Sequence, residues 1–137
     1  MKINHLELKN FRNYKDCSLD FHPFINIFVG KNAQGKTNLL ESLYLLSLSK
    51  SFKTKMNEDM ICFNEEFAKV KGAIVSNEKN MSLEVVISKL GKKAIVNHKE
   101  IKKTSDYVGY LNVVLFIPED LMLIKGSPKL RRKLMDM

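Results

Sequence analysis

Residues 30–37 read GKNAQGKT and match the phosphate-binding pattern G-x-x-x-x-G-K-T at every fixed position. Gly30 and Gly35 let the backbone turn where a side chain would block it, and the N–H groups between them form a concave anion site. A helix that begins at the loop adds the positive end of its dipole. We therefore expect Lys36 to reach the β- and γ-phosphates of a nucleotide, and the Thr37 hydroxyl to help hold Mg²⁺.

The flanking sequence predicts the strand and the helix that such a loop requires. Residues 24–29, FINIFV, are an apolar run typical of a buried strand. Residues 37–48 contain six leucines and neither glycine nor proline, which predicts a buried helix. The predicted nucleotide-binding residues of the loop are Gly30, Lys31, Asn32, Ala33, Gln34, Gly35, Lys36 and Thr37.

The length and composition favour one soluble domain. The chain has 137 residues, of which 45% are hydrophobic and 28% charged, and we take residues 1–137 as a single domain. No apolar stretch is long enough for a membrane span, and polar residues interrupt the N-terminus where a signal peptide would be apolar. Cys17, Cys62 and three scattered histidines form no disulfide framework or zinc pattern, so we expect a reducing, cytoplasmic location.

The charge balance points to a polyanionic partner. The formal net charge is +8, and only three of the 23 basic residues are arginine: Arg12, Arg131 and Arg132. Lysine binds phosphate as a point charge and reads bases less well than the planar guanidinium of arginine. The composition therefore favours contact with a nucleic-acid backbone over sequence reading.

The rest of the pattern alternates as strands do. Residues 2–9 and 17–21 predict two strands joined by a turn at 11–14. Residues 49–55 form a polar, basic loop, and its lysines Lys50, Lys53 and Lys55 are candidate DNA contacts. An antiparallel, lysine-rich meander is predicted at about 66–101. Its parts are strands 67–75, 82–90 and 93–97, with turns at Gly91-Lys92 and Asn97-His98-Lys99.

The last third of the chain predicts further elements. Thr104 or Ser105 is expected to cap a short helix that runs to Gly109, and residues 113–117, VVLFI, predict a buried strand. Pro118-Glu119-Asp120 is typical of a helix start. Residues 129–135 predict an amphipathic helix that has no stop signal before Met137, which we interpret as a truncation.

A P-loop enzyme also needs an apolar strand ending in an acid that holds Mg²⁺ through water, the Walker B element. The one candidate is 113–117 followed by Glu119 and Asp120, and Pro118 turns the chain away between them. A compact P-loop kinase or phosphotransferase with Asp120 on Mg²⁺ is therefore the alternative hypothesis. Against it, an antiparallel meander follows the loop where such enzymes have parallel βα units. A third hypothesis is a nucleic-acid-binding module with an incidental loop.

Five local sequences together resemble one family. They are residues 6–14 (LELKNFRNY), 29–41 (VGKNAQGKTNLLE), 49–54 (SKSFKT), 114–121 (VLFIPEDL) and 125–128 (KGSP), followed by Arg131, Arg132 and Asp136. In this order and spacing they resemble the RecF family of bacterial DNA replication and repair proteins, within the SMC-like branch of ABC-type ATPases. The resemblance covers essentially the whole chain.

The resemblance implies roles for particular residues. Gly30 to Thr37 match the family's ATP-binding loop, with Mg²⁺, and Asn32 matches a position near the γ-phosphate. Arg12 and Asn13 match a segment beside the nucleotide, where Arg12 would pair with a phosphate. Lys53 stands where the family usually has arginine, which removes any bidentate role. Glu119 lies in the Q-loop region, and its role stays open.

The resemblance also implies a function and a fold. RecF-like proteins take part in DNA replication, recombinational repair and SOS induction, bind single-stranded or gapped DNA, act with RecO and RecR partners, and form ATP-dependent homodimers. The Walker B and ABC signature segments are expected beyond this chain, which should then lack ATPase activity alone. The predicted fold class is α/β: a P-loop ABC-ATPase-like lobe with a mixed sheet on the loop helix and an antiparallel meander, incomplete at the C-terminus.

Overall fold

The computed structural model describes residues 1–76 and 78–121, and its largest element is a six-stranded antiparallel sheet. The strands are β1 Lys2–Phe11, β2 Tyr14–Asp20, β3 Phe67–Ser76, β4 Lys79–Ser88, β5 Gly91–Val96 and β6 Lys99–Ile101. Their order across the sheet is β2-β1-β3-β4-β5-β6, and every neighbouring pair is antiparallel. The described helices are α1 Lys36–Leu48 and α2 Thr104–Tyr107, with short 3-10 turns at Glu58–Met60 and Pro118–Leu121.

Alternating side chains give the sheet one buried and one open face. Val70 and Ile74 on β3, and Leu83, Val85 and Ile87 on β4, are buried, because residues two apart point to the same face. Lys69 and Lys71 of β3 and Glu84 of β4 occupy the alternate positions. Helix α1 packs on the buried face, mainly through Leu39, Leu45 and Leu46.

Leu46 of α1 packs against the sheet at Gly72 of β3. A Cβ added to Gly72 would clash with Leu46 Cδ2 and would lie 3.3 Å from Ile3 Cδ1. Because Leu46 is fully buried, it has little room to move away. The absence of a side chain at Gly72 therefore leaves room for Leu46 of α1 against β3.

Two side-chain hydrogen bonds fix the C-terminal end of α1. The Tyr107 hydroxyl donates to the Leu46 carbonyl at 2.5 Å, and the Ser47 hydroxyl donates to the Leu111 carbonyl at 2.6 Å. The last carbonyls of a helix have no partner within the helix, so Tyr107 satisfies one that would otherwise be buried without a hydrogen bond. Residues 104–111 are thereby fastened to the helix end.

The α/β class and the antiparallel meander were predicted correctly, and the meander's turns only in part. Asn97 and His98 both have positive φ (47° and 66°), as the two central residues of a type I′ turn require. The turn predicted at Gly91-Lys92 lies instead at Lys89-Leu90, and Gly91 already belongs to β5. The predicted cap of α2 is wrong as well: Lys103 occupies the N-cap, and no side chain caps the helix.

Two predicted buried strands are wrong. Residues 24–29 form no strand among the described residues, and Phe24, Ile25, Ile27 and Val29 are 74–90% exposed. Residues 113–117 likewise form no strand, and Val114 is fully exposed. An apolar run becomes a strand only beside a partner strand, and in the described part of the chain neither segment has one. The helix predicted at 129–135 lies outside the described residues.

Candidate phosphate-binding site

The predicted phosphate loop opens helix α1. Gly35 is the N-cap of α1, with φ of 104°, and Ala33 is also left-handed, with φ of 65°. The Lys36 ammonium donates to the carbonyls of Gly30 at 2.6 Å and Lys31 at 2.7 Å, so it closes the loop on itself. This places a positive charge, a helix N-terminus and a run of backbone N–H groups at one position.

The turn between β1 and β2 supports the loop from behind. The Asn13 side-chain amide donates to the Gln34 carbonyl at 3.3 Å, and the Tyr14 hydroxyl donates to the Gly35 carbonyl at 3.2 Å. Burial, with a smaller contribution from Cys17, raises the pKa of Tyr14, so its hydroxyl stays protonated as a donor. A Cβ on Gly35 would lie 2.7 Å from Asn13 Nδ2, so this contact, like the φ angle, requires glycine.

A cavity of about 220 Å³ lies at the mouth of the loop. It is lined by Asn32, Ala33, Gly35, Lys36, Thr37, Asn38 and Lys53. None of these residues is acidic, and two of them are lysines, so the cavity has the charge that a phosphate group requires. Thr37, whose hydroxyl was predicted to help hold Mg²⁺, lines this cavity.

Lys53, which was predicted as a DNA contact, lines this cavity. Its ammonium donates to Asn38 Oδ1 at 2.6 Å, and the Asn38 amide donates to Asn13 Oδ1 at 2.8 Å. Together with the bond from Asn13 to Gln34, these contacts form a chain from the basic loop to the phosphate loop. Asn38 was missed by the sequence reasoning, although it directly follows Thr37.

A buried carboxylate organises the same region. Glu41 lies on α1 one turn after Thr37 and is fully buried. Its two oxygens accept hydrogen bonds from Arg12 Nε at 2.9 Å and Arg12 Nη2 at 2.6 Å. Ser51 Oγ donates to it at 2.5 Å, and Lys53 Nζ lies 3.6 Å away. Glu41 and Ser51 were also missed, and a single acid within a leucine-rich helix is the signal that could have found Glu41.

The position of Arg12 bears on its predicted role. Its guanidinium pairs with Glu41, and its Nη1 also donates to the Asp59 carbonyl at 2.5 Å. Arg12 is not among the residues that line the cavity, whereas Asn13 contacts the loop from behind. These contacts make the Arg12 side chain a link between the β1–β2 turn, α1 and the 51–60 segment. Pairing of Arg12 with a phosphate remains a prediction.

The other two predicted DNA contacts lie apart from Lys53. Lys50 follows the C-terminal end of α1 and borders a different cavity, and Lys55 is exposed in the loop. The predicted Walker B segment is not a strand, and the Asp120 carboxylate accepts the Ile117 N–H at 2.9 Å. Asp120 therefore caps its own 3-10 turn, which argues against the kinase alternative.

Clusters of metal ligands and membrane-spanning helices are both absent from the described ranges, 1–76 and 78–121. No group of three or more metal-ligating side chains occurs among these residues. No helix in the same ranges has the length and apolar character needed to cross a bilayer.

A phosphate loop that opens a helix is typical of P-loop nucleotide-binding proteins. The chain belongs to the AAA ATPase domain family, whose model matches residues 1–117. It is 53% identical over all 137 residues to the DNA replication and repair protein RecF of Staphylococcus carnosus strain TM300, and it spans 37% of that protein's length. The resemblance to the RecF family is thus confirmed.

Solved structures give the same result. A structure described as the recombination mediator protein RecF-ATP in the RecFOR pathway has a TM-score of 0.86 and 35% identity, and the match covers 98% of this chain and 38% of that one. A structure from work on ATP-driven dimerization and DNA stimulated activation of SMC ATPases has a TM-score of 0.79 and 23% identity, covering 99% and 98%. The second likeness supports the fold alone.

Proposed function

We propose that this chain is the ATP- and Mg²⁺-binding part of a RecF-like protein of DNA replication and repair. The observation that carries the proposal is the cavity at the loop mouth, where Lys36, Thr37 and the N-terminus of α1 meet. In this site Gly30 to Thr37 would hold the phosphates, and the Thr37 hydroxyl would help to hold Mg²⁺. A relative whose structure is described as RecF-ATP, with this fold and 35% identity, supports the same role.

The ammonium of Lys36 is the part of the site that can be tested most simply. It donates to the Gly30 and Lys31 carbonyls, and a nucleotide phosphate would take their place as its partner. A hydrogen bond to a charged group contributes about 1.5–3 kcal/mol, which corresponds to a roughly 10- to 100-fold change in affinity.

Calorimetric titration with ATP and Mg²⁺ tests this role. Lys36→Ala should weaken binding by that factor, whereas Lys93→Ala, which removes an exposed lysine on β5, should leave it unchanged. If wild type and Lys36→Ala bind ATP with equal affinity, the proposed nucleotide site is refuted. That result would favour the third hypothesis, a nucleic-acid-binding module in which the loop is incidental.

The proposal extends to DNA and to partners. A net charge of +8 carried mainly by lysine suits contact with single-stranded or gapped DNA through its phosphates. The chain spans about a third of the relative's length. Several properties are therefore proposed only for the whole protein. They are homodimerisation driven by ATP, action with RecO and RecR type partners in recombinational repair and SOS induction, and a cytoplasmic location.

Measurement of ATP hydrolysis and phosphate transfer distinguishes this proposal from the kinase alternative. The chain should hydrolyse ATP negligibly alone, because among the described residues no acid lines the cavity at the loop mouth. Release or transfer of phosphate to small-molecule acceptors by the chain would favour a phosphotransferase instead.

A further inference from the structure

A second basic cavity lies at the opposite end of α1 from the phosphate loop. It has a volume of about 410 Å³ and lies between the C-terminal end of the helix, the start of β5 and the segment that joins β6 to α2. Because α1 has 13 residues, the two cavities are separated by about 20 Å along the helix. A nucleotide in the loop would therefore not fill this second cavity.

Three lysines from three separate segments border the second cavity. Lys50 follows α1, Lys92 lies on β5, and Lys102 follows β6. Ala94 and Ile101, which are register partners on β5 and β6, also line it, together with the polar side chain of Thr104. None of the described residues that line this cavity is acidic.

The lysines are held near one another without a compensating charge from the lining. Partial burial lowers the pKa of Lys92, and the nearby ammonium of Lys50 lowers it further. Cations near a helix C-terminus are favourable in general, which would explain Lys50. It does not explain why strand and loop segments bring Lys92 and Lys102 to the same cavity.

The surrounding charge is segregated rather than uniform. Residues 89–103 contain six lysines and one acid, whereas residues 56–68 contain four acids and no basic residue. The basic segment comprises β5, β6 and their turns, and two of its lysines, Lys92 and Lys102, border the cavity. Such an extended set of point charges suits a chain of phosphates better than one small anion.

We propose that the cavity bordered by Lys50, Lys92 and Lys102 binds backbone phosphates of a nucleic acid, at a site separate from the Gly30–Thr37 loop. The inference rests on the proposed DNA-binding function and assigns it to a different place from the predicted Lys50, Lys53 and Lys55 group. Lys53 lines the cavity at the mouth of the phosphate loop. Lys50 is common to the predicted group and to the lining of the second cavity.

The test compares two variants with equal loss of charge. One carries Lys50→Gln, Lys92→Gln and Lys102→Gln. The control carries Lys2→Gln, Lys9→Gln and Lys69→Gln, which alter β1 and β3. Binding of a labelled single-stranded oligonucleotide is followed by fluorescence anisotropy from low to moderate salt. The slope of log affinity against log salt should fall by about 2 in the first variant, because each lost phosphate contact removes about 0.7.

Each outcome decides the proposal. A larger loss of affinity and slope in the first variant than in the control supports it, provided that both variants bind ATP as the wild type does. Equal losses in the two variants would show that net charge, not the cavity, binds DNA. If the wild type binds pyrophosphate at this cavity but not DNA, the ligand is a small phosphate. That result overturns both this inference and the proposed DNA binding while leaving the ATP site intact.

Discussion

Replacing Arg12 by glutamine removes the buried ion pair with Glu41 that joins the β1–β2 turn to α1. The resulting loss of stability measures what that pair contributes. Glu41 is fully buried, and the Arg12 side chain is 18% exposed. Removing one partner of a buried pair costs about 3–5 kcal/mol, because the other charge stays buried without compensation. Ser51 and Lys53 remain within 2.5 and 3.6 Å of Glu41, so we expect the lower end, about 3 kcal/mol. For a chain of this size that lowers the melting temperature by about 10 °C.

Urea unfolding followed by circular dichroism measures this loss. The matched control is Lys71→Gln, which breaks an exposed pair with Glu7 at 3.5 Å and should cost at most about 1 kcal/mol. The double variant Arg12→Gln with Glu41→Gln should recover part of the loss, because it leaves no unpaired buried charge. If Arg12→Gln costs no more than Lys71→Gln, the assignment of Glu41 as the organising carboxylate is refuted.

Three further predictions concern how α1 is held on the sheet. Tyr107→Phe should cost about 1–3 kcal/mol in urea unfolding, because the buried Leu46 carbonyl loses its partner; a loss no larger than that of Tyr110→Phe would contradict this. Burial raises the pKa of Tyr107, so the folded chain keeps a phenolic proton that the unfolded chain releases near pH 10. Stability should therefore fall above pH 10 by up to about 1.4 kcal/mol per pH unit more in the wild type than in Tyr107→Phe, and parallel pH profiles would refute it. Gly72→Ala should destabilise the chain by about 1–3 kcal/mol through the contact with Leu46, and an unchanged unfolding midpoint would show that the helix can shift.

Local sequence was sufficient for the elements that local interactions decide. The glycines and Lys36 identified the phosphate loop, and alternation identified β1, β3 and β4, because period-2 burial appears directly in the residue order. The Asn97-His98 turn followed from the preference of asparagine for positive φ.

Features that depend on distant partners could not be predicted in this way. The apolar runs at 24–29 and 113–117 look like buried strands, yet a strand also needs a neighbour, and their composition does not show whether one is present. Lys53 looked like any loop lysine until the fold brought it to Asn38 and Glu41, which are 15 and 12 positions away in sequence. The Lys50, Lys92 and Lys102 cavity likewise depends on segments that only the sheet brings together.

The central claim is that residues 30–37 hold the phosphates of ATP, and amide chemical-shift mapping by NMR tests it most directly. Addition of ATP and Mg²⁺ should perturb the backbone amides of Gly30 to Asn38 most strongly, with smaller changes at Lys53. The amides around Phe63 and Leu90, which border a separate cavity of about 820 Å³, should stay unchanged. Shifts centred on that cavity, or no shifts in the loop at saturating ATP, would contradict the account.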